Sequence, residues 1–159
     1  MIEQDHLIHQ LEESRARMKA VLADLAQNQQ IYPPWKLKNF IDHLTGWDEC
    51  STEALLAHAA GKEPATPTIR GIDPYNAESV ATRAELDYRS SYGEWELARA
   101  EFIAAIRAMP DDKLAVPLLY PWAKMGTVKG IVHVMYEHEL EHAEEIEKLK
   151  VEWRKQSPV

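Results

Sequence analysis

The chain has 159 residues, 45% hydrophobic and 28% charged, with a formal net charge of −8. That length suits one domain, 1–159, with a core of its own, and the acidic balance argues against nucleic acid or an anionic membrane as the main partner. A single cysteine, Cys50, permits no internal disulfide framework and suits a reducing cytoplasm; the N-terminus reads as no signal peptide and no apolar stretch approaches membrane-spanning length.

Apolar residues recur at helical spacing in four segments. The first runs from about Glu3 to Gln27, on Leu7, Leu11, Met18, Val21, Leu22 and Leu25, with Ser14 as the polar member of the stripe. "NQQIYPP" breaks it, and Pro33 and Pro34 are placed to start the next helix. The second runs from Trp35 to Ala60, with Phe40, Leu44, Trp47, Ala54 and Leu55 on one face, and ends at Gly61. "GKEPATPTIRGIDPYN" reads as a long loop of the kind that forms a lid or a site wall.

The third helix is expected to start between Ala77 and Thr82 and to end near Met109. Its seam is Tyr88, Tyr92, Trp95, Arg99, Phe102, Ile106 and Met109, with Arg99 charged inside it. Pro117 and Pro121 bar a helix from the next connector, which can hold a short extended piece around Val116 to Tyr120. The fourth helix starts at the N-cap Thr127 and reaches about Arg154. Four long helices predict an all-α four-helix bundle, with long connections between helices 2 and 3 and between helices 3 and 4.

"HELEH", residues 138 to 142, fits H-E-x-x-H, the pattern of zinc proteases. On its helix His138 and His142 lie about 40° apart, one turn from each other, within the stripe of Ile131, Val134, Met135, Ile146, Leu149 and Trp153. Two buried imidazoles need partners, and one metal ion satisfies both. The longer protease pattern would place Gly at 145 and His at 148, where this chain has Glu145 and Lys148. The third ligand is therefore expected from upstream. His133 faces elsewhere, and His6, His9 and His58 read as surface residues. His43 lies within about 60° of Phe40 and Trp47 on an apolar face. With His138 and His142 it gives three converging nitrogens and open positions for water or substrate.

"WKLKNFIDHLTGWDE", followed some ninety residues later by "HVMYEHELEHAEEI", resembles the DinB-like (YfiT-like) superfamily of four-helix bundles over nearly the whole chain. The resemblance implies a divalent metal, zinc or nickel, on a first His of helix 2 and an H-x-x-x-H pair of helix 4, positions matched by His43, His138 and His142. It implies a metal-dependent enzyme acting on a small molecule, a thiol-dependent S-transferase or a hydrolase, with a low-molecular-weight thiol such as bacillithiol or mycothiol as a possible co-substrate, and a homodimer. The alternative is a metal-binding or stress-related interaction protein without catalysis. Family sequences often read R-G-Q-like after the second His of the pair; here "AEEI" puts Glu145 in the Gln-like place.

Glu145, about 40° off the midline of the His pair, could be a fourth ligand, a partner of an imidazole N–H or a general base, or equally part of a solvated face. Glu139 and Glu141 read as a solvated flank, and Asp42 as a surface residue. Arg99 could clamp a substrate carboxylate or pair with a buried Glu such as Glu145. Trp47, Tyr92, Trp95 and Trp122 could wall a pocket, Trp47 as a substrate contact, or be plain core. Cys50, two turns beyond His43, reads as buried and inert.

Overall fold

The computed structural model describes residues 2–157. Four long helices form the bundle: α1 (Ile2–Leu22), α2 (Leu37–Ala59), α4 (Tyr88–Arg107) and α5 (Val128–Gln156). A shorter α3 (Ile72–Ala81) lies between α2 and α4. Two small antiparallel hairpins complete the fold, β1 (Gln30–Tyr32) with β2 (Trp35–Lys36) and β3 (Leu118–Leu119) with β4 (Met125–Gly126). None of these helices is long and apolar enough to cross a membrane.

The helix ends follow local chemistry. Asp87 accepts the Ser90 N–H at 2.8 Å and starts α4. Thr127 is the N-cap of α5, as its sequence predicts, and its hydroxyl accepts the Gly130 N–H. The first helix is shorter than its periodicity suggests, because the Leu25 N–H bonds back to Leu22 O, three residues away, and the chain turns out of α-geometry. Pro33 and Pro34 form the β1–β2 turn, their shared peptide cis, rather than opening α2, which begins at Leu37.

The expected long loop between helices 2 and 3 contains α3. Its start signals are Gly71, at φ 112°, then Asp73 and Pro74 in the first turn, where proline is tolerated. The third long helix accordingly begins at Tyr88, after the break at Thr82–Asp87, later than the apolar spacing suggests.

Helices consecutive in the chain do not all pack side by side. The spatial order is α1, α5, α2, α4 and back to α1, so α1 lies across the bundle from α2, and α4 from α5. The α2–α4 and α1–α5 faces pack most extensively, and α2–α5 is the loosest of the four. That loose face carries the candidate site.

The core has two apolar halves. One is built on Leu7, Leu11, Phe102, Ile106, Ile131 and Met135, the other on Met18, Leu37, Phe40, Leu44, Trp95 and Ile146. Between them lies a buried ionic layer with one residue from each long helix: Arg15, Asp48, Arg99 and Glu139. Arg15 reaches Glu139 and Asp48 at 2.8 Å each and the Trp95 carbonyl at 3.0 Å. Arg99 donates to both Asp48 oxygens at 3.0 Å, to the Glu139 carboxylate, to the Leu11 carbonyl at 2.8 Å and to the Ser14 hydroxyl. Two guanidinium groups and two carboxylates make the layer formally neutral.

Candidate metal centre and its cavity

α2 brings His43 and α5 brings His138 and His142 to one point on their shared face. One ligand atom from each imidazole lies within 4.8 Å of the other two. The His138 and His142 Nε2 atoms are 3.0 Å apart, and ring centroids across the trio are separated by 4.5–5.7 Å. Two nitrogens at that spacing can share one ion with bonds of about 2.0–2.1 Å. The buried His43 Nδ1 has no hydrogen-bond partner among the described residues. Neutral nitrogen donors facing one another, with an unsatisfied buried ring atom beside them, fit a borderline-soft divalent ion.

The electrostatics match that fit. Burial, then the neighbouring His138 and His142, pushes His43 down to about 3, with Asn76 offsetting in part. Burial and His138 push His142 down to about 4 against the pull of Glu145. Burial also lowers His138, opposed by Glu139, Glu141, Asp48 and Glu145. At neutral pH all three rings are therefore unprotonated bases with lone pairs to offer.

The β1–β2 hairpin covers one side of the cluster. Trp35 packs on His43 with ring centroids 5.1 Å apart. The Tyr32 hydroxyl lies 2.8 Å from His142 Nδ1 and donates to Glu145 Oε2 at 2.5 Å. A phenol has one proton to give. With that proton directed to Glu145, the hydroxyl accepts from His142 Nδ1–H, which leaves Nε2 bare and facing His138. Glu145 Oε2 is 3.8 Å from His142 Nδ1, so the phenol links the two groups. The periodicity argument missed Tyr32 because it treated "NQQIYPP" only as a helix breaker. The available signal was a pair of aromatics, Tyr32 and Trp35, flanking a two-proline turn.

On the other side of the cluster a cavity of about 290 Å³ opens, with His43 and His138 at its floor. Trp47 and Trp122 wall it at 6.1 Å between ring centroids. Asn76 of α3 accepts the Trp47 indole N–H at 2.9 Å and also lines the space. Gly46 makes this placement possible. A Cβ there would come within 2.7 Å of Ser79 Cβ, and the Gly46 carbonyl accepts the Tyr75 hydroxyl at 2.6 Å. The helices α2 and α3 thus touch backbone to side chain at that residue.

The remaining candidates divide cleanly. Of the four aromatics, Trp47 and Trp122 line the cavity. Trp95 is core, with the Arg15 guanidinium 4.0 Å over its ring, and Tyr92 packs against it. Arg99 is not at the cluster: every one of its N–H groups is engaged inside the ionic layer, and its carboxylate partners are Asp48 and Glu139 rather than Glu145. Glu139 is only 2% exposed, not a solvated flank. Its helix packs on both α1 and α2, so the buried arc of α5 is wider than one stripe. Asp42 is likewise buried, paired with Lys38 at 2.8 Å, because α2 is covered on nearly all sides. His58 is buried too, with Nε2 3.0 Å from the Lys113 carbonyl. Glu141, His6, His9 and His133 are exposed. Cys50 is buried outside the cluster, its thiol pushed up to about 12 by burial.

Solved structures share this architecture. The mycothiol-dependent maleylpyruvate isomerase superposes with a TM-score of 0.75 over 90% of this chain, at 12% identity. The chain spans only 60% of that enzyme's length. A protein from Streptococcus pneumoniae matches with a TM-score of 0.74 at 14% identity, over 92% of this chain and 90% of its own. YfiT from Bacillus subtilis, described as a probable metal-dependent hydrolase with an unusual four-helix bundle topology, matches with a TM-score of 0.72 at 19% identity, over 94% of this chain and 87% of its own. At these identities the likeness is one of fold. No curated protein sequence is similar enough to this one to count as a match. A family profile covers residues 10–146, from the first helix through the histidine pair, and by it the chain belongs to the DinB superfamily.

Proposed function

We propose that this protein is a metal-dependent enzyme acting on a small molecule, a thiol-dependent S-transferase or a hydrolase, with His43, His138 and His142 as the metal ligands. One observation carries the reading: three imidazoles from two helices converge on one point, and two of them, His43 and His138, line a cavity large enough for a small molecule. Zinc and nickel both suit three nitrogen donors. When bound, such an ion supplies Lewis acidity and holds a thiol or a water as its more nucleophilic conjugate base at neutral pH.

The chain's own groups have distinct parts. The depressed His43 and His142 remain unprotonated through the neutral range, so protons do not compete for their lone pairs. Tyr32 holds His142 in the tautomer that turns Nε2 toward the cluster, and Glu145 holds Tyr32. Glu145 is half exposed and does not line the cavity, so it acts on the site through Tyr32 rather than on substrate. Trp47 and Trp122 exclude water from the space above the floor and present aromatic faces to the ligand.

Metal analysis of the purified protein tests the reading. The wild type is expected to hold one divalent ion per chain and His138→Ala to hold much less. Absence of metal from the wild type after supplementation with zinc or nickel would overturn it, as would full occupancy in the variant. A thermal-shift series with bacillithiol, mycothiol and glutathione then separates the two activities. Stabilisation of the metal-loaded protein by one of these thiols supports the transferase; none supports the hydrolase.

A further inference from the structure

The cavity over the histidine cluster has a chemical character of its own. Besides His43 and His138 it is lined by Trp47, Trp122 and Met135, with Ile72 and Val134 at the rim and Asn76 as the one amide. Among the described residues, no lysine or arginine lines it. The guanidinium that could have clamped a carboxylate, that of Arg99, is saturated within the ionic layer. In the metal-free protein an anion entering this space would lose its water shell without gaining a cationic side chain, against a chain whose formal net charge is −8. Two indole rings set at a tilt are, by contrast, good surfaces for a flat apolar group.

We propose that the cavity binds an organic ligand through an uncharged, predominantly apolar planar ring, seated between Trp47 and Trp122 and oriented by Asn76. This names the ring that the proposed enzyme's substrate would carry, any anionic group being left to the ion on His43 and His138, and rests on that reading for its catalytic meaning. The binding preference itself rests on the cavity alone. About 290 Å³ is near the lower end of the range for small-molecule sites, enough for a compact bicyclic group. Val134 and Ile72, 41% and 52% exposed, form an apolar rim through which such a ligand enters.

The test uses two probes of one shape, 2-naphthamide and 2-naphthoate, with the full-length chain both as loaded with zinc and after chelation. The readout is the indole N–H resonances of Trp47 and Trp122 in two-dimensional NMR. The amide is expected to shift both resonances in either form and to bind the chelated protein at least tenfold more tightly than the carboxylate. Because the chelated protein is included, loss of the metal reading would leave this result standing, and the reverse. A second arm uses Val134→Arg, a substitution at a partly exposed rim position that the fold tolerates. It is expected to raise naphthoate affinity at least fivefold. Equal binding of the two probes to the chelated wild type would overturn the proposal, as would binding of neither. An unchanged naphthoate affinity in a folded Val134→Arg would overturn the rim as the entry route and with it the electrostatic argument.

Discussion

His142 shows how much of this site depends on single atoms. Its Nε2 serves the cluster only while Nδ1 carries the proton, and the Tyr32 hydroxyl is the group in place to receive that proton. Tyr32→Phe is therefore expected to weaken zinc binding about 10- to 100-fold, with the fold intact. Glu145→Gln keeps an acceptor for the phenol and is expected to lose less. Competition against a chromophoric chelator measures both, and equal affinity in Tyr32→Phe and wild type would remove Tyr32 from the site. Within the ionic layer the balance is different. Deleting one partner strands a charge in the core, so Asp48→Ala is expected to cost about 3–5 kcal/mol in urea denaturation. A cost below 1 kcal/mol would mean that water reaches the layer.

At the level of helices, the α2–α5 face is open because its neighbours are held elsewhere. The most extensive packing ties α2 to α4 and α1 to α5, while α3 and the β1–β2 hairpin cover what remains. α3 depends on Gly46. Gly46→Ala places a methyl within 2.3 Å of the Ser79 hydroxyl oxygen, closer than atoms can approach. It is expected to cost about 1–3 kcal/mol and to move Ile72 and Asn76 away from the cavity. Hydrogen exchange should then quicken in residues 72–81 before the rest of the bundle. Exchange unchanged in those residues would show that α3 is held by other contacts.

For the whole molecule, three depressed imidazoles couple stability to pH. Each folded-state value lies below the ordinary 6.5, so the unfolded chain takes up protons first as pH falls. The stability that these groups contribute is fully present above about pH 6.5. It declines below that, toward about 4 for His142 and about 3 for His43, by up to about 1.4 kcal/mol per pH unit for each ring. Metal-free protein should accordingly unfold at lower urea as pH drops from 6.5 to 4.5, and replacing His43 with Gln should flatten that slope. A metal ion that binds only the folded chain adds about 2.7 kcal/mol at 100 times its Kd. Chelation at pH 7 is then expected to lower Tm by about 5–10 °C. A Tm unaffected by chelation of metal-loaded protein would argue that the ion is not held by the folded cluster.

Sequence by itself determined the four long helices, the Thr127 cap and the stacking of His138 on His142, because periodicity and i, i+4 spacing are local properties of a helix; that His43 meets the pair depends on α2 packing on α5. The same angular reasoning misplaced Glu139 and Asp42. It assumes one buried stripe per helix, whereas α5 packs on two neighbours and α2 is covered on nearly all sides. It could not find Tyr32, which comes to His142 from 110 residues away through a hairpin that has no helical period. Nor could it choose between a clamp and a structural pair for Arg99. Only the tertiary structure decided that, by bringing Asp48 and Glu139 from two other helices to the same guanidinium. Charge pairing in a bundle depends on which side chains meet at its centre, and here Arg99 of α4 pairs both with its neighbour α2 and with α5 across the bundle.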